Sequence, residues 1–261
     1  MKWYRIWAMV VRHLVQLPTD FNKLSSVIYW PIVDLVLMGC MGLAMSSPAA
    51  PAQAPLILLV GISLWQVVNR ACLGVALNLL EELWTRNVTN LFATSLTLGE
   101  WIASVVVEGV IMLSALLMLC AWVVYLMYGL SIFVLGWWLL PFSLLAYGAG
   151  LALGFMASAC LLIWGQRVQS LVWMVCWGFA IVSGAFYPIS VLPSSLQSVA
   201  HVLPLEYIFQ SVRELLMTGE VPVQTLLYAI ALDCFYVILA IFCFVKAFAY
   251  SKRRGLARLM D

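Results

Sequence analysis

Charge is scarce in this sequence: Asp, Glu, Lys and Arg make up 9% of its 261 residues, against about 25% in an ordinary soluble domain. With 65% of residues hydrophobic, the class expected is an integral membrane protein whose spans leave no room for a soluble domain larger than a loop. No G-x-x-x-x-G-K-[ST] loop occurs, so no ATP site is expected in the chain and any energy source is a separate subunit. No Cys-x-x-Cys occurs either. The seven cysteines (Cys40, Cys72, Cys120, Cys160, Cys176, Cys234 and Cys243) all fall in apolar stretches, which favours small buried hydrophobes over a disulfide framework or zinc site. Only two histidines are present, His13 and His201. Neither lies in an expected span, which disfavours an intramembrane serine enzyme built on Ser63. Arg5, Arg12, His13 and Asp20 interrupt the first 22 residues, so no cleavable signal peptide is expected there.

The apolar residues fall into six expected spans, at about 24–45, 55–80, 100–128, 132–164, 168–185 and 224–250. The fold class expected is therefore all-α integral membrane, as a single transmembrane domain. Lys2, Arg5, Arg12 and Lys23 precede the first span, and Lys252, Arg253, Arg254 and Arg258 follow the last. Arg86 and Arg167 occupy two further polar breaks, while the breaks at Ser46 to Pro55 and Gly129 to Trp138 are uncharged. The positive-inside rule then puts both termini in the cytoplasm. Only Arg213 falls in an outside loop.

Residues 1–22 place Trp3, Ile6, Trp7, Val10, Val11 and Leu14 at helical spacing, the pattern of an amphipathic helix lying on the membrane surface. Inside the spans, Asp34, Arg70 and Glu108 sit at comparable depth. Intramembrane ionisable groups usually face the bundle interior, so these three form a candidate polar cluster, either a structural lock or an element of a transport path. Pro31 is expected to kink the first span. Gly148, Gly150, Gly154 and Ser158 form a small-residue stripe suited to close helix contact, within one subunit or between two. Asp233 has no evident partner and should face protein or water.

Two further stretches stand out. Residues 81–97 are too polar to cross a bilayer, and Trp84, Val88, Leu91, Phe92 and Ser95 recur at helical spacing while Glu82, Arg86, Asn87 and Asn90 take other faces. A short helix parallel to the membrane is expected there. Residues 186–214 are apolar but broken by Pro188, Pro193 and Pro204. Backbone interrupted in this way survives at membrane depth only where protein or a wet cavity satisfies it, so a partly inserted hairpin is expected.

The run Arg86-Asn-Val-Thr-Asn-Leu-Phe-Ala-Thr-Ser-Leu with Glu100 beyond it resembles the coupling-helix region of bacterial type-2 ABC exporter permeases. Tyr29-Trp-Pro-Ile-Val-Asp34 is similar to a second pattern of that family. Phe186-Tyr-Pro-Ile-Ser-x-Leu-Pro193, Leu203-Pro-Leu-x-Tyr207 and Arg213 are similar to a third. The likeness covers nearly the whole chain. It departs at Thr85-Arg86-Asn87, where many relatives have an acidic residue with Gly-Thr, and at Ser95, where many have Pro.

The resemblance implies a bacterial inner-membrane permease that pairs with a second permease chain, identical or different. It also implies two copies of an ATPase subunit that carry the ATP and Mg²⁺, with no cofactor in this chain and no nucleic-acid partner. Glu82, Arg86, Asn87, Asn90, Leu91, Phe92 and Ser95 would seat in the ATPase. Phe186, Tyr187, Pro188, Pro193, Leu203, Pro204, Tyr207 and Arg213 would form an external re-entrant gate. The cargo implied is a lipophilic or amphipathic drug, lipid or glycolipid. The alternatives are a lipid-linked polysaccharide exporter and a motor-free channel or scramblase.

Overall fold

A computed structural model describes residues 1–18, 21–45 and 54–255, and among them all regular structure is helical. Asp20, the uncharged loop at 46–53 and Arg258 lie outside the described residues. The elements are α1 (Trp3–Gln16), α2 (Phe21–Met45), α3 (Ala54–Trp84), α4 (Val88–Ala93), α5 (Leu98–Tyr128), α6 (Leu139–Trp164), α7 (Ser170–Val182), α8 (Ser194–Ala200), α9 (Pro204–Thr218) and α10 (Val223–Arg254). Among the described residues, five helical stretches are long and apolar enough to cross a membrane: Lys23–Ala44, Pro55–Trp84, Leu98–Tyr128, Ile132–Val168 and Val223–Arg254. The protein is all-α and membrane-embedded.

Several boundaries differ from those expected. The stretch at 132–164 is broken, with a 3-10 segment, Ile132–Trp138, preceding α6 and Gly136 at φ 55° between turns. The span expected at 168–185 holds a helix of 13 residues, about 20 Å at 1.5 Å per residue and too short for a ~30 Å bilayer core on its own. The surface helix expected at 81–97 is mostly not a separate helix, because α3 continues to Trp84 and α4 is only six residues. Helix α2 runs on through Pro31.

Helices α3 and α6 form the centre. In each, 72% of the most apolar stretch is buried, against 17% in the first span, so the outer helices surround this pair. The small-residue stripe explains the contact: a Cβ on Gly150 would lie 2.5 Å from the Val68 carbonyl, and one on Gly154 would lie 2.7 Å from the Cys72 carbonyl. The stripe is therefore used inside the chain, backbone to backbone. Ser158 is buried on the same helix. Trp101 stacks on Phe244 at 5.5 Å and Phe155 meets Phe244 edge-on at 5.3 Å, which joins α5, α6 and α10. Cys72, Cys120 and Cys176 are buried as expected of small hydrophobes, but Cys40 and Cys234 are exposed.

The start of α1 and the last turns of α10 meet at one end of the bundle. The Lys2 amide donates to Glu100 at the start of α5 (2.8 Å), and Phe92 of α4 packs on Phe248 near the end of α10 (4.6 Å). Arg12, Lys23, Arg86 and Lys252 to Arg254 gather there, and it is called the basic end below. Residues 165–185 run antiparallel to α3. Gln166 donates to the Leu83 carbonyl (2.8 Å), the Cys176 thiol donates to Asn69 Oδ1 (2.8 Å), and the Ala185 carbonyl crowds Gly61.

Candidate functional site

A cavity of about 950 Å³ runs along α3 from the basic end. Its floor is Gln66, Asn69, Arg70, Leu73 and Leu77, spaced so that one face of α3 carries them all. Helix α2 supplies Ser26, Trp30 and Asp34 by the same four-residue step, and α7 supplies Trp173 and Trp177. Thr85 to Gln66 is about 28 Å along a helix. Beyond Gln66, residues Leu59, Val60, Ile62, Leu64 and Trp65 are all buried, and Trp65 lies 6.0 Å from Phe186.

The mouth is ringed by matched charges. Arg12 meets Glu82 at 2.7 Å and Lys23 meets Glu81 at 2.6 Å. Deeper, Gln66 donates to Asp34 (2.7 Å), and Arg70 reaches Ser26 Oγ at 3.4 Å. Among the described residues no carboxylate oxygen lies within 4.0 Å of the Arg70 guanidinium.

The structure therefore does not unite Asp34, Arg70 and Glu108. Glu108 turns instead toward α1 and α3, where His13 Nδ1 lies 2.7 Å from its Oε2 and Asn78 donates to the same oxygen at 2.8 Å. Both His13 and Glu108 are buried. Arg70 and Glu108 line a second cavity of about 20 Å³, room for one water, without touching. His13 and Asn78 were not among the residues singled out from the sequence, since an isolated histidine in an amphipathic leader gives no sign of its partner. Gln66, one turn before Arg70, and Asn69, directly before it, were not singled out either.

The expected coupling residues divide into two sets. Glu82 and Leu91 are buried, with Glu82 held by Arg12 and by the Asn87 amide (2.7 Å), and Phe92 is committed to Phe248. Arg86, Asn90 and Ser95 are exposed. Arg86 has φ 54°, the left-handed region that non-glycine residues rarely adopt. Arg5 binds the Ser95 carbonyl, so α1 also touches this segment.

The residues expected to form a gate are spread over 186–213, in the turns and short helices that follow α7. Pro188 precedes a 3-10 turn, Pro193 precedes α8, and Leu203 and Pro204 open α9. Arg213 donates to the Gly184 carbonyl (2.8 Å), Tyr207 to that of His201 (2.9 Å), and Tyr187 to that of Ile181 (2.8 Å). Tyr236 of α10 donates to the Val202 carbonyl at 3.1 Å. Tyr236 lies about 20 Å along α10 from its start, so the α8–α9 turn dips well down the bundle. His201 Nδ1 approaches Glu206 Oε2 at 2.8 Å. Burial raises the Glu206 carboxyl above its ordinary range, and the histidine opposes the shift.

Asp233 is buried against Gly148 of α6, facing protein. The Ser63 hydroxyl donates back to the Leu59 carbonyl (2.7 Å), while both histidines are engaged with glutamates. The chain matches no protein-family model and no curated protein.

Proposed function

We propose that this chain is the membrane subunit of an ATP-driven exporter of the type-2 ABC permease kind, moving a lipophilic or amphipathic substrate out of the cytoplasm or inner leaflet. The observation that carries the reading is the cavity, which runs from the basic end to Gln66 and meets buried side chains beneath Phe186. A compartment reachable from one side and shut on the other is what alternating access requires of its inward state. On this reading both termini are cytoplasmic in the bacterial inner membrane, and the hairpin of 186–214 is the outer gate. Support for a re-entrant hairpin comes from the Tyr236 bond to its turn. Support for a sixth crossing comes from residues 165–185, which follow α3 from Leu83 to Gly61, about 33 Å of helix.

Hydrolysis takes place in two copies of a partner ATPase, and a second permease chain, identical or different, completes the pathway. Arg86, Asn90 and Ser95 are the exposed residues that would contact the ATPase, whereas Glu82, Leu91 and Phe92 carry its movement inward. The test is co-expression with an ATPase subunit, reconstitution in lipid, and measurement of association and ATP turnover. Arg86→Ala with Asn90→Ala should lose the partner or its permease-dependent turnover while the chain stays folded. Failure of any ATPase to associate, or turnover indifferent to both changes, rejects the exporter.

A further inference from the structure

We infer that the cavity takes an anionic amphiphile, with a phosphate or carboxylate head on Arg70 and an apolar chain against Trp30, Trp173 and Trp177. Charged side chains face the cavity from α1, α2 and α3. Arg12 of α1 answers Glu82, and Lys23 of α2 answers Glu81. Helices α5 and α7 add only apolar or aromatic side chains to the lining, Met112 and Leu116 from one and the two tryptophans from the other. Asp34 and Arg70 remain, level with sites one turn apart on α3.

These two are not equivalent. Asp34 already accepts the Gln66 amide at 2.7 Å, and a carboxyl group can discharge itself by taking up a proton. Arg70 can do neither. Its guanidinium has five N–H donors and stays charged, yet its one described hydrogen bond is a 3.4 Å approach to Ser26. Glu108, across the small cavity, is occupied by His13 and Asn78. A fixed cation on a cavity wall, with donors to spare, fits the planar or tetrahedral oxygens of a carboxylate or phosphate.

The remaining volume argues against a free ion. About 950 Å³ is far more than a single phosphate fills, and the apolar part of the lining includes Leu73 and Leu77 of α3, Trp30 of α2, and Trp173 and Trp177 of α7. Trp30, Trp173 and Trp177 are 57%, 46% and 50% exposed while lining the cavity, so their rings are free to hold an apolar chain.

This assignment rests on the exporter reading for the direction of movement, but the binding it requires does not. The experiment therefore uses the full chain alone in lipid nanodiscs, without an ATPase. Binding of bromine-labelled dodecyl phosphate is read by quenching of tryptophan fluorescence, with unlabelled dodecyl phosphate, dodecyltrimethylammonium and inorganic phosphate as competitors. Dodecyl phosphate should compete at least about tenfold better than the ammonium amphiphile, the factor expected when a charge-assisted hydrogen bond is gained. Inorganic phosphate should not compete at the same concentration.

Arg70→Gln should weaken dodecyl phosphate about tenfold or more while leaving the ammonium amphiphile unchanged. Arg70→Lys should keep the preference for the anion, and Asp34→Asn should not weaken it. Equal competition by the two amphiphiles, indifference to Arg70→Gln, or competition by inorganic phosphate would each overturn the assignment. Should Arg70→Gln fail to fold, the headgroup preference of the unaltered chain and of Arg70→Lys decides alone. An ATPase that associates with a chain lacking this preference would leave the exporter standing and remove only the anionic substrate.

Discussion

The N-terminal helix is held by a buried pair, and His13→Ala tests how strongly. His13 and Glu108 have side chains 4% and 9% exposed and approach to 2.7 Å. Truncating one member of a buried pair costs about 3–5 kcal/mol, here because Glu108 is left with the Asn78 amide alone. In a chain of this size about 1 kcal/mol moves the midpoint by about 2–4 °C, so a fall of about 6–20 °C is expected. The other ion pairs of α1 among the described residues, Arg5 to Glu100 and Arg12 to Glu82, involve more exposed cations and are each worth about 0–1 kcal/mol. Thermal unfolding in nanodiscs gives the size of the effect, and hydrogen exchange gives its location. The amides of α1 should lose protection while those of α3 and α6 keep theirs. A double-mutant cycle with Glu108→Gln should return a coupling above about 1 kcal/mol. A fall under about 2 °C, or two changes that simply add, would mean that Ile6, Met9 and Val10 hold the helix and the pair contributes nothing.

Other perturbations separate packing from conformation. Gly154→Ala should destabilise by about 1–3 kcal/mol, because its Cβ would meet the Cys72 carbonyl and the backbone must move. Gly178→Ala, with nothing within 4 Å of the added atom, should be neutral or stabilising by up to about 1 kcal/mol, and paired melting curves check both. Arg86→Gly should raise the melting midpoint, since it releases about 1 kcal/mol of left-handed backbone strain. The same change should reduce ATP turnover in the proposed complex, and a variant that gains both would separate Arg86 from the partner contact. Glu206 gives a pH dependence. Its folded pKa is raised from 4.5 by burial, so its neutral form is favoured by folding. That contribution is complete below 4.5 and is lost as pH rises through the raised value. Melting curves of the unaltered chain should fall relative to Glu206→Gln over that window, and parallel curves would refute it.

The helical class and all five long stretches were legible because long apolar runs and the prolines between them are local signals. The Gly150 and Gly154 stripe was legible as a close contact, but its partner, α3, was not, since small-residue spacing carries no address. Asp34, Arg70 and Glu108 were rightly singled out as costly residues inside spans. Arg70 lines one cavity with Asp34 and another with Glu108, but no ion pair joins the three, because depth along a helix says nothing of direction around it. Asp34 and Arg70 turn toward the cavity, while Glu108 turns toward His13, a residue on a helix read as merely lying on the surface. The six-residue α4 was overestimated for a related reason. The apolar period of 81–97 continues across Arg86, where the backbone takes a left-handed turn that periodicity does not record.

The burial of Glu82 and Leu91 among the expected coupling residues changes how a push from a partner would travel on the proposed reading. Glu82 does not face outward; it joins Asn87, just before α4, to Arg12 of α1 through two contacts of 2.7 Å. Arg5 holds the Ser95 carbonyl on the far side of α4, so α1 grips both ends of the segment. Phe92 passes the same displacement to α10 through Phe248. Arg12 and Glu82 are also at the mouth of the cavity, and His13, one residue on, is fixed to Glu108 in α5. Movement of α4 therefore shifts α1, and α1 cannot shift without altering the cavity mouth or breaking the pair at its base. On the proposed reading, α1 would act as an arm between the surface that meets the ATPase and the cavity.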